Sequence, residues 1–191
     1  MRVVAGAAKG LPLKAVPGTT TRPTTDKVKE SIFNMIGPFF DGGKALDLFA
    51  GSGGLGIEAL SRGIDTVIFT DKDRKAIETI RLNLEKTKLT EHAEVYKVDA
   101  ERAIRTMKKK GIRARLLFLD PPYHMKQAYD LMDKAAESGI MTEDSIVVCE
   151  HDAEVKLNDR SRFYSRYKKE SYGNTIISIY RYQGEEGETI E

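Results

Sequence analysis

Asp120-Pro121-Pro122-Tyr123 follows directly on the apolar run Leu116 to Leu119, so an acid, two rigid carbonyls and an aromatic ring stand together where a strand is expected to end. Proline fixes its own φ and drives the preceding residue into an extended conformation, so the pair holds the loop open with its carbonyl oxygens outward. Such a set suits a planar amine. The carboxylate and a carbonyl can accept its two hydrogens while the ring covers its face. A Pro-Pro turn leaving a buried strand, with Tyr123 covering apolar surface, draws on the same residue types.

A second group lies upstream, where Leu46-Asp47-Leu48-Phe49-Ala50 runs into Gly51-x-Gly53-x-x-Gly56 and then into a helical pattern. Glycines let the backbone turn sharply and approach a ligand, and the first turn of the helix offers unpaired N–H groups. A nucleotide-like ligand is implied. The same spacing serves the NAD and FAD fingerprint, and glycine-rich turns also occur without any ligand. Asp71, twenty residues beyond Gly51, closes the expected strand Thr66 to Thr70, where a carboxylate can hold both hydroxyls of a ribose. Asp99 closes the expected strand Val95 to Val98, where it can accept from an adenine amino group. Each of these acids alone is also a natural helix N-cap, and Asp73 competes with Asp71 for that role. Together, Asp47, Asp71, Asp99 and Asp120 line the C-terminal edge of predicted parallel strands, where open α/β sheets bind ligands.

The elements that must position them follow from periodicity. Residues 1 to about 20 read as short extended pieces broken by Gly6, Gly10, Pro12, Pro17 and Gly18, a small β-appendage. A helix is expected over Thr25 to Ile36, with Val28, Ile32, Met35 and Ile36 forming one apolar stripe. From Lys44, strand and helix alternate, which predicts a parallel sheet with right-handed crossovers. Helices are expected at Gly54 to Arg62, Asp73 to Lys88, Ala100 to Lys110 and Lys126 to Ser138. A fifth strand is expected at Ile146 to Glu150, and an antiparallel pair at Arg162 to Glu170 and Thr175 to Tyr182, turning near Gly173. The chain divides into residues 1–40, an appendage and helix packed on the main domain; 41–183, that domain; and 184–191, an acidic mobile tail.

Composition bounds the chemistry. At 191 residues with 40% hydrophobic side chains the chain can bury one substantial core. It carries no apolar run near the roughly 20 residues that span a bilayer and no visible signal peptide, so a cytoplasmic enzyme is expected. Cys149, the single cysteine, excludes a disulfide framework and reads as core. His92, His124 and His151 show no metal-ligand spacing. Net charge is only +2, but the first forty residues hold Arg2, Lys9, Lys14, Arg22, Lys27 and Lys29 against Asp26 and Glu30. Near the C-terminus, Arg160, Arg162, Arg166, Lys168, Lys169 and Arg181 are interleaved with five tyrosines. Cations neutralise phosphates and aromatic rings stack on unpaired bases, so the mixture suits RNA as well as an ordinary solvated surface. Lys108 to Lys110 suit the end of a helix, and Glu58 and Arg62 an i,i+4 ion pair.

With these residues in view, the chain resembles the class I S-adenosylmethionine-dependent methyltransferases, and within them the RsmD-type enzymes that methylate guanine N2 in 16S ribosomal RNA. The resemblance runs nearly end to end. Its residues are Arg2-Val3-Val4-Ala5-Gly6, Arg22-Pro23-Thr24-Thr25-Asp26 with Val28, Glu30 and Phe33, Asp47 to Gly53 with Gly56, Glu58 to Gly63, and Asp120 to Tyr123. The glycine and Asp-Pro-Pro-Tyr loops identify the broad group, whereas Arg22 to Asp26 and Glu58 to Gly63 are more specific. The resemblance implies a Rossmann-like seven-stranded sheet with its last strand antiparallel. It also implies S-adenosylmethionine as cofactor, with Asp47, Phe49, Gly51, Gly53 and Gly56 on its methionine side, Asp71 on its ribose and Asp99 with Ala100 on its adenine. Asp120, Pro121, Pro122 and Tyr123 would hold the guanine, and Arg22, Thr24, Thr25 and Lys9 the RNA. The implied partner is 16S ribosomal RNA, free or in a partly assembled small subunit, with a monomeric enzyme and neither metal nor membrane. Methylation of adenine N6 or of a protein glutamine, and an NAD-dependent oxidoreductase, stand as alternatives.

Overall fold

A computed structural model describes residues 1–20, 24–122 and 125–184. Arg22, Tyr123 and the 185–191 part of the expected tail lie outside the described residues. The apolar runs become strands β1 (Lys44–Asp47), β2 (Thr66–Asp71), β3 (Ala93–Lys97), β4 (Ala114–Leu119) and β5 (Met141–Asp152), which pair in parallel. Strands β6 (Tyr164–Tyr172) and β7 (Thr175–Tyr182) form the antiparallel pair. The sheet order is β3-β2-β1-β4-β5-β7-β6, with β7 antiparallel to both β5 and β6. This is the Rossmann-like methyltransferase sheet that the resemblance implied.

The helices α1 (Asp26–Ile36), α2 (Gly54–Ser61), α3 (Arg74–Thr87), α4 (Ala100–Lys109) and α5 (Leu131–Glu137) lie on its two faces. One face buries Ile32 and Phe33 of α1, Ile57 of α2 and Ile80 of α3 against Phe69, Phe118, Val148 and Ile177. The other buries Ala103, Ile104 and Met107 of α4 and Ala135 of α5 against Leu46, Leu117, Val147 and Tyr164. Strand β4 is buried on both sides, as its uninterrupted Leu116-Leu117-Phe118-Leu119 requires. Helix starts are set by side chains: Thr25 accepts from Val28 N at 3.3 Å, Asp73 from Lys75 N at 3.0 Å and Asp99 from Arg102 N at 2.8 Å.

Three elements differ from expectation. The Lys126 to Ser138 helix is instead a 3₁₀ turn, Lys126–Asp130, followed by the short α5. A tertiary bond overrides helical propensity there, because the Tyr129 hydroxyl donates to the Glu150 carbonyl at 2.7 Å. Strand β5 begins five residues early, at Met141, across an irregularity opposite Ala114. The expected N-terminal β-appendage reduces to one antiparallel bridge, Arg2 with Pro12. Val3 N donates to the Leu11 carbonyl and Leu13 N to the Met1 carbonyl, both at 2.9 Å, so Pro12 needs no N–H at this register, and the positive-φ turns at Gly6 and Gly10 keep the pairing short. Val3, Ala8 and Leu13 nevertheless join the core.

A buried ionic cluster fixes that segment. Glu58 of α2, with no exposed side-chain surface, meets Lys29 of α1 at 3.2 Å and Arg62 at 2.8 Å, and also accepts from the N–H groups of Val4 and Ala5 at 2.9 and 3.0 Å. Lys29 Nζ donates in turn to the Arg2 carbonyl at 2.5 Å. Burial lowers the Lys29 pKa and the Glu58 carboxylate opposes it. A charge group this satisfied tolerates burial, but loses most of its support if one partner is removed.

Candidate active site

Strand order reverses between β1 and β4, which lie side by side with Asp47 beside Phe118. Connections leave the C-terminal ends of such neighbours in opposite directions and open a crevice. Asp47 ends β1 there, and the loop to α2 follows. Ala50 N donates to the Thr70 carbonyl at 3.0 Å and Gly53 N to the Ala50 carbonyl at 2.7 Å. The glycines of this loop answer different needs. Gly51 has φ of +55° with no atom within 4 Å of where a Cβ would stand, so its α-carbon faces open space. At Gly56 a Cβ would lie 2.3 Å from Phe69 and 2.9 Å from Val67, so this glycine lets α2 seat on β2.

The acid at the end of β2 organises the loop. Asp71 Oδ2 accepts from Gly51 N at 3.0 Å and Oδ1 from Asp73 N at 2.9 Å, whereas Asp73 caps α3. Asp99 caps α4, and its bond from Arg102 N holds its carboxyl below the usual range against the opposing effect of burial. Ala100, the first residue of α4, is buried.

Asp47 is 2% exposed. Burial first, and the neighbouring Asp71 carboxylate second, push its pKa up to about 7, while a hydrogen bond from the Gly56 backbone pulls the other way. Asp120 is also pushed well up, by burial, then by Glu150, then by Asp47. Glu150, near the end of β5, accepts from Thr24 Oγ1 at 2.9 Å, and burial raises its pKa. A low-dielectric crevice crowded with carboxyls favours a cation. Among the described residues, no three metal-ligating side chains converge on a common point.

A cavity of about 110 Å³ joins these pieces, lined by Asp47, Phe49, Gly51, Gly54, Thr24 and Asp120 together with Met1, Ala15, Val16 and Thr19. Asp71 and Asp99 lie outside its lining. Pro121 is buried and Pro122 exposed, and the Pro122 carbonyl accepts from Met125 N at 2.9 Å. Thr25 is the cap of α1. Lys9 is exposed in a turn held to Ser61, at the end of α2 remote from the glycine loop. The structure therefore brings Asp47, Phe49, Gly51, Thr24 and Asp120 together and leaves Lys9 apart from them.

Sequence reasoning missed Glu150, Asn83 and the N-terminal strip. The Asn83 amide donates to the carbonyls of Ser52 and Lys14 at 2.9 and 3.0 Å and accepts from Lys14 N at 2.8 Å, tying glycine loop to strip. An asparagine inside a helical pattern carries no signal of this. Glu150 does interrupt an apolar strand, which is the kind of clue Asp120 also gave.

Cys149, in contrast, is buried with its thiol pushed up by burial, as a core residue should be. No helix among the described residues is long and apolar enough to cross a membrane.

Comparison with known proteins bears on the family and the fold. The family described as "Conserved hypothetical protein 95" matches residues 1–181. The chain is 54% identical over 184 residues to "Putative rRNA methyltransferase YlbH" of Bacillus subtilis, covering 96% of this chain and 100% of that one. It is 28% identical over 183 residues to "Ribosomal RNA small subunit methyltransferase D" of Escherichia coli, covering 95% and 89%. A solved structure, "Putative methyltransferase yhhF from Escherichia coli", superposes with a TM-score of 0.82 at 27% identity over 97% of this chain and 99% of the other.

Proposed function

This chain belongs to the Conserved hypothetical protein 95 family, the RsmD family of methyltransferases, and from that premise we propose that it transfers a methyl group from S-adenosylmethionine to the exocyclic N2 of a guanine in 16S ribosomal RNA. The observation that carries the reading is the sharing of one cavity by Asp47, the Gly51 loop and Asp120 at the point where strand order reverses. The donor fits this lining. A sulfonium and an ammonium are cations, and Asp47 is an acid whose burial is relieved by one. Phe49, Ala50 and Leu55 supply apolar contact, Gly51 leaves room for close approach, and Asp71 and Asp99 are assigned to ribose and adenine. S-adenosylmethionine supplies a methyl group already activated by positive sulfur.

The chain's own residues would do the rest. Guanine N2 is a weak nucleophile because its lone pair is delocalised into the ring. Asp120 and the Pro121 carbonyl accept its two hydrogens, which orients the lone pair toward the methyl group. Tyr123 and Pro122 flank the base. Orientation of this kind, with a carboxylate beside the positive charge developing on nitrogen, lowers the barrier without a metal. A base must leave its stack to enter such a crevice, so an accessible nucleotide in a loop is the target. Arg22, Thr24, Thr25 and, farther off, Lys9 are assigned to RNA contact. We assign residues 1–40 to the substrate side of the domain formed by 41–183, and the chain to the cytoplasm, acting as a monomer.

Calorimetric titration with S-adenosylmethionine and with NADH tests the cofactor. Binding of the former alone is expected, and binding of NADH alone would overturn the reading in favour of an oxidoreductase. Asp120→Ala should keep cofactor binding and lose transfer of label to ribosomal RNA.

A further inference from the structure

The transfer reading uses Asp47 and Asp120 and leaves Glu150 without a role. Strands β4 and β5 run parallel with Leu119 beside Cys149, so Asp120, the first residue past β4, lies next to Glu150, which is still within β5. Alternation puts both side chains on the face that carries Phe118 and Val148, and adjacent strands lie about 4.8 Å apart. Glu150 is clamped at both ends. Thr24 Oγ1 donates to its carboxylate at 2.9 Å, and Tyr129 donates to its carbonyl at 2.7 Å. Thr24 lines the same cavity as Asp47 and Asp120. Building the fold does not require an acid here: Cys149 and Val148 before it are simply apolar.

We propose that Glu150 is a positioning residue of the site: held by Thr24 and Tyr129, it sets a second carboxyl against Asp120 and so makes Asp120 the group that takes the proton from the methylated amine. This rests on the methyl-transfer reading above. An ordinary aspartate is a poor base at neutral pH, and a like charge within a few ångströms is one of the means of making it a better one. Burial, then Glu150, then Asp47 raise Asp120 in that direction.

The groups facing the pair are Asp47 from β1 and Thr24 ahead of α1, whereas Tyr129 of the 3₁₀ turn packs on the other face beside His151 and reaches Glu150 through its carbonyl. Ile177 of β7 stands opposite Glu150, and Cys149 and His151 alternate to the other face. The step balances. The nitrogen lone pair forms the new N–CH₃ bond, the C–S bond breaks with its electrons on sulfur, and the N–H proton passes to the Asp120 carboxylate. Water later removes that proton.

Single-turnover methyl transfer to small-subunit ribosomal RNA, followed against pH for the wild type, Glu150→Gln, Glu150→Asp and Thr24→Val, tests the proposal. The wild-type rate should rise with pH along one acid limb. In Glu150→Gln the limb should move to lower pH by about one to two units, with KM for S-adenosylmethionine unchanged. Glu150→Asp should return it toward the wild-type position, and Thr24→Val should displace it. A limb that stays in place while only the amplitude falls would overturn the proposal and leave Glu150 a structural role. Should Glu150→Gln not fold, the other two variants carry the same comparison.

Infrared titration of the Asp120 carboxyl separates failure of this proposal from failure of the transfer reading. A wild type inactive on RNA sinks the transfer reading and, with it, the proton step. An Asp120 band that titrates alike in wild type and Glu150→Gln sinks the pairing even where methylation proceeds.

Discussion

Replacing Asp47 by asparagine should make the protein more stable at neutral pH and worse at binding its cofactor. Asp47 is nearly inaccessible, and its carboxyl is pushed from 3.8 up to about 7, chiefly by burial and then by Asp71. Between those two values the folded chain keeps a proton that the unfolded chain has released. Stability attributable to this group therefore falls as pH rises from about 4 to 7 and is level beyond. The displacement corresponds to about 4 kcal/mol. Asparagine keeps an acceptor for the Gly56 N–H and carries no charge to bury.

Urea unfolding of both proteins at a series of pH values reads the difference directly. The two should agree near pH 4 and diverge until the variant is more stable by about 4 kcal/mol above pH 7. S-adenosylmethionine should bind the wild type more tightly as pH rises through 7, because a cation favours the ionised carboxyl, and this dependence should weaken in the variant, where Asp120 is the raised carboxyl left in the cavity. Parallel unfolding curves for the two proteins would refute the argument.

Other perturbations separate fold from site. Glu58→Ala strands Lys29 and Arg62 in the core and should cost about 3 to 5 kcal/mol in urea unfolding, with the N-terminal segment released to proteolysis. Gly56→Ala drives a methyl into Phe69 and should destabilise by about 1 to 3 kcal/mol. Gly51→Ala meets no neighbour, costs about 1 to 2 kcal/mol for its positive φ, and should weaken cofactor binding out of proportion to that cost. Asp99→Asn keeps a cap for α4, so a loss of S-adenosylmethionine affinity in calorimetry without a loss of stability would mark the adenine contact.

Much of the architecture was legible because period and punctuation agree. Strands β1, β2 and β4 are apolar runs ending in acids, and α1, α3 and α4 begin at Thr25, Asp73 and Asp99, each a side chain that caps. The expected placement of Asp47 with the glycine loop and Asp120 follows from topology: right-handed crossovers leave one crevice beside β1, and both loops must border it. What periodicity could not supply is long-range. Tyr129 turns the helix after Met125 into a 3₁₀ turn by bonding across to Glu150, and Asn83 reaches from α3 to two loops. Residues 1–20 offered turn signals but no sign that Val3, Ala8 and Leu13 enter the core or that Met1 and Val16 wall the cavity. Those facts depend on Glu58, whose i,i+4 pairing with Arg62 was readable while its bonds to Lys29, Val4 and Ala5 were not.

The central claim is that methyl donor and guanine amine meet across the edge of the sheet between Gly51 and Asp120. It is tested most directly by mapping N2-methylguanine in small-subunit ribosomal RNA from cells lacking this protein, then adding back the purified chain with labelled S-adenosylmethionine. One guanine should be unmodified in the deletion and should regain label with the wild type but not with Asp120→Ala. Label appearing on another atom or base, or restored equally by Asp120→Ala, would contradict the account.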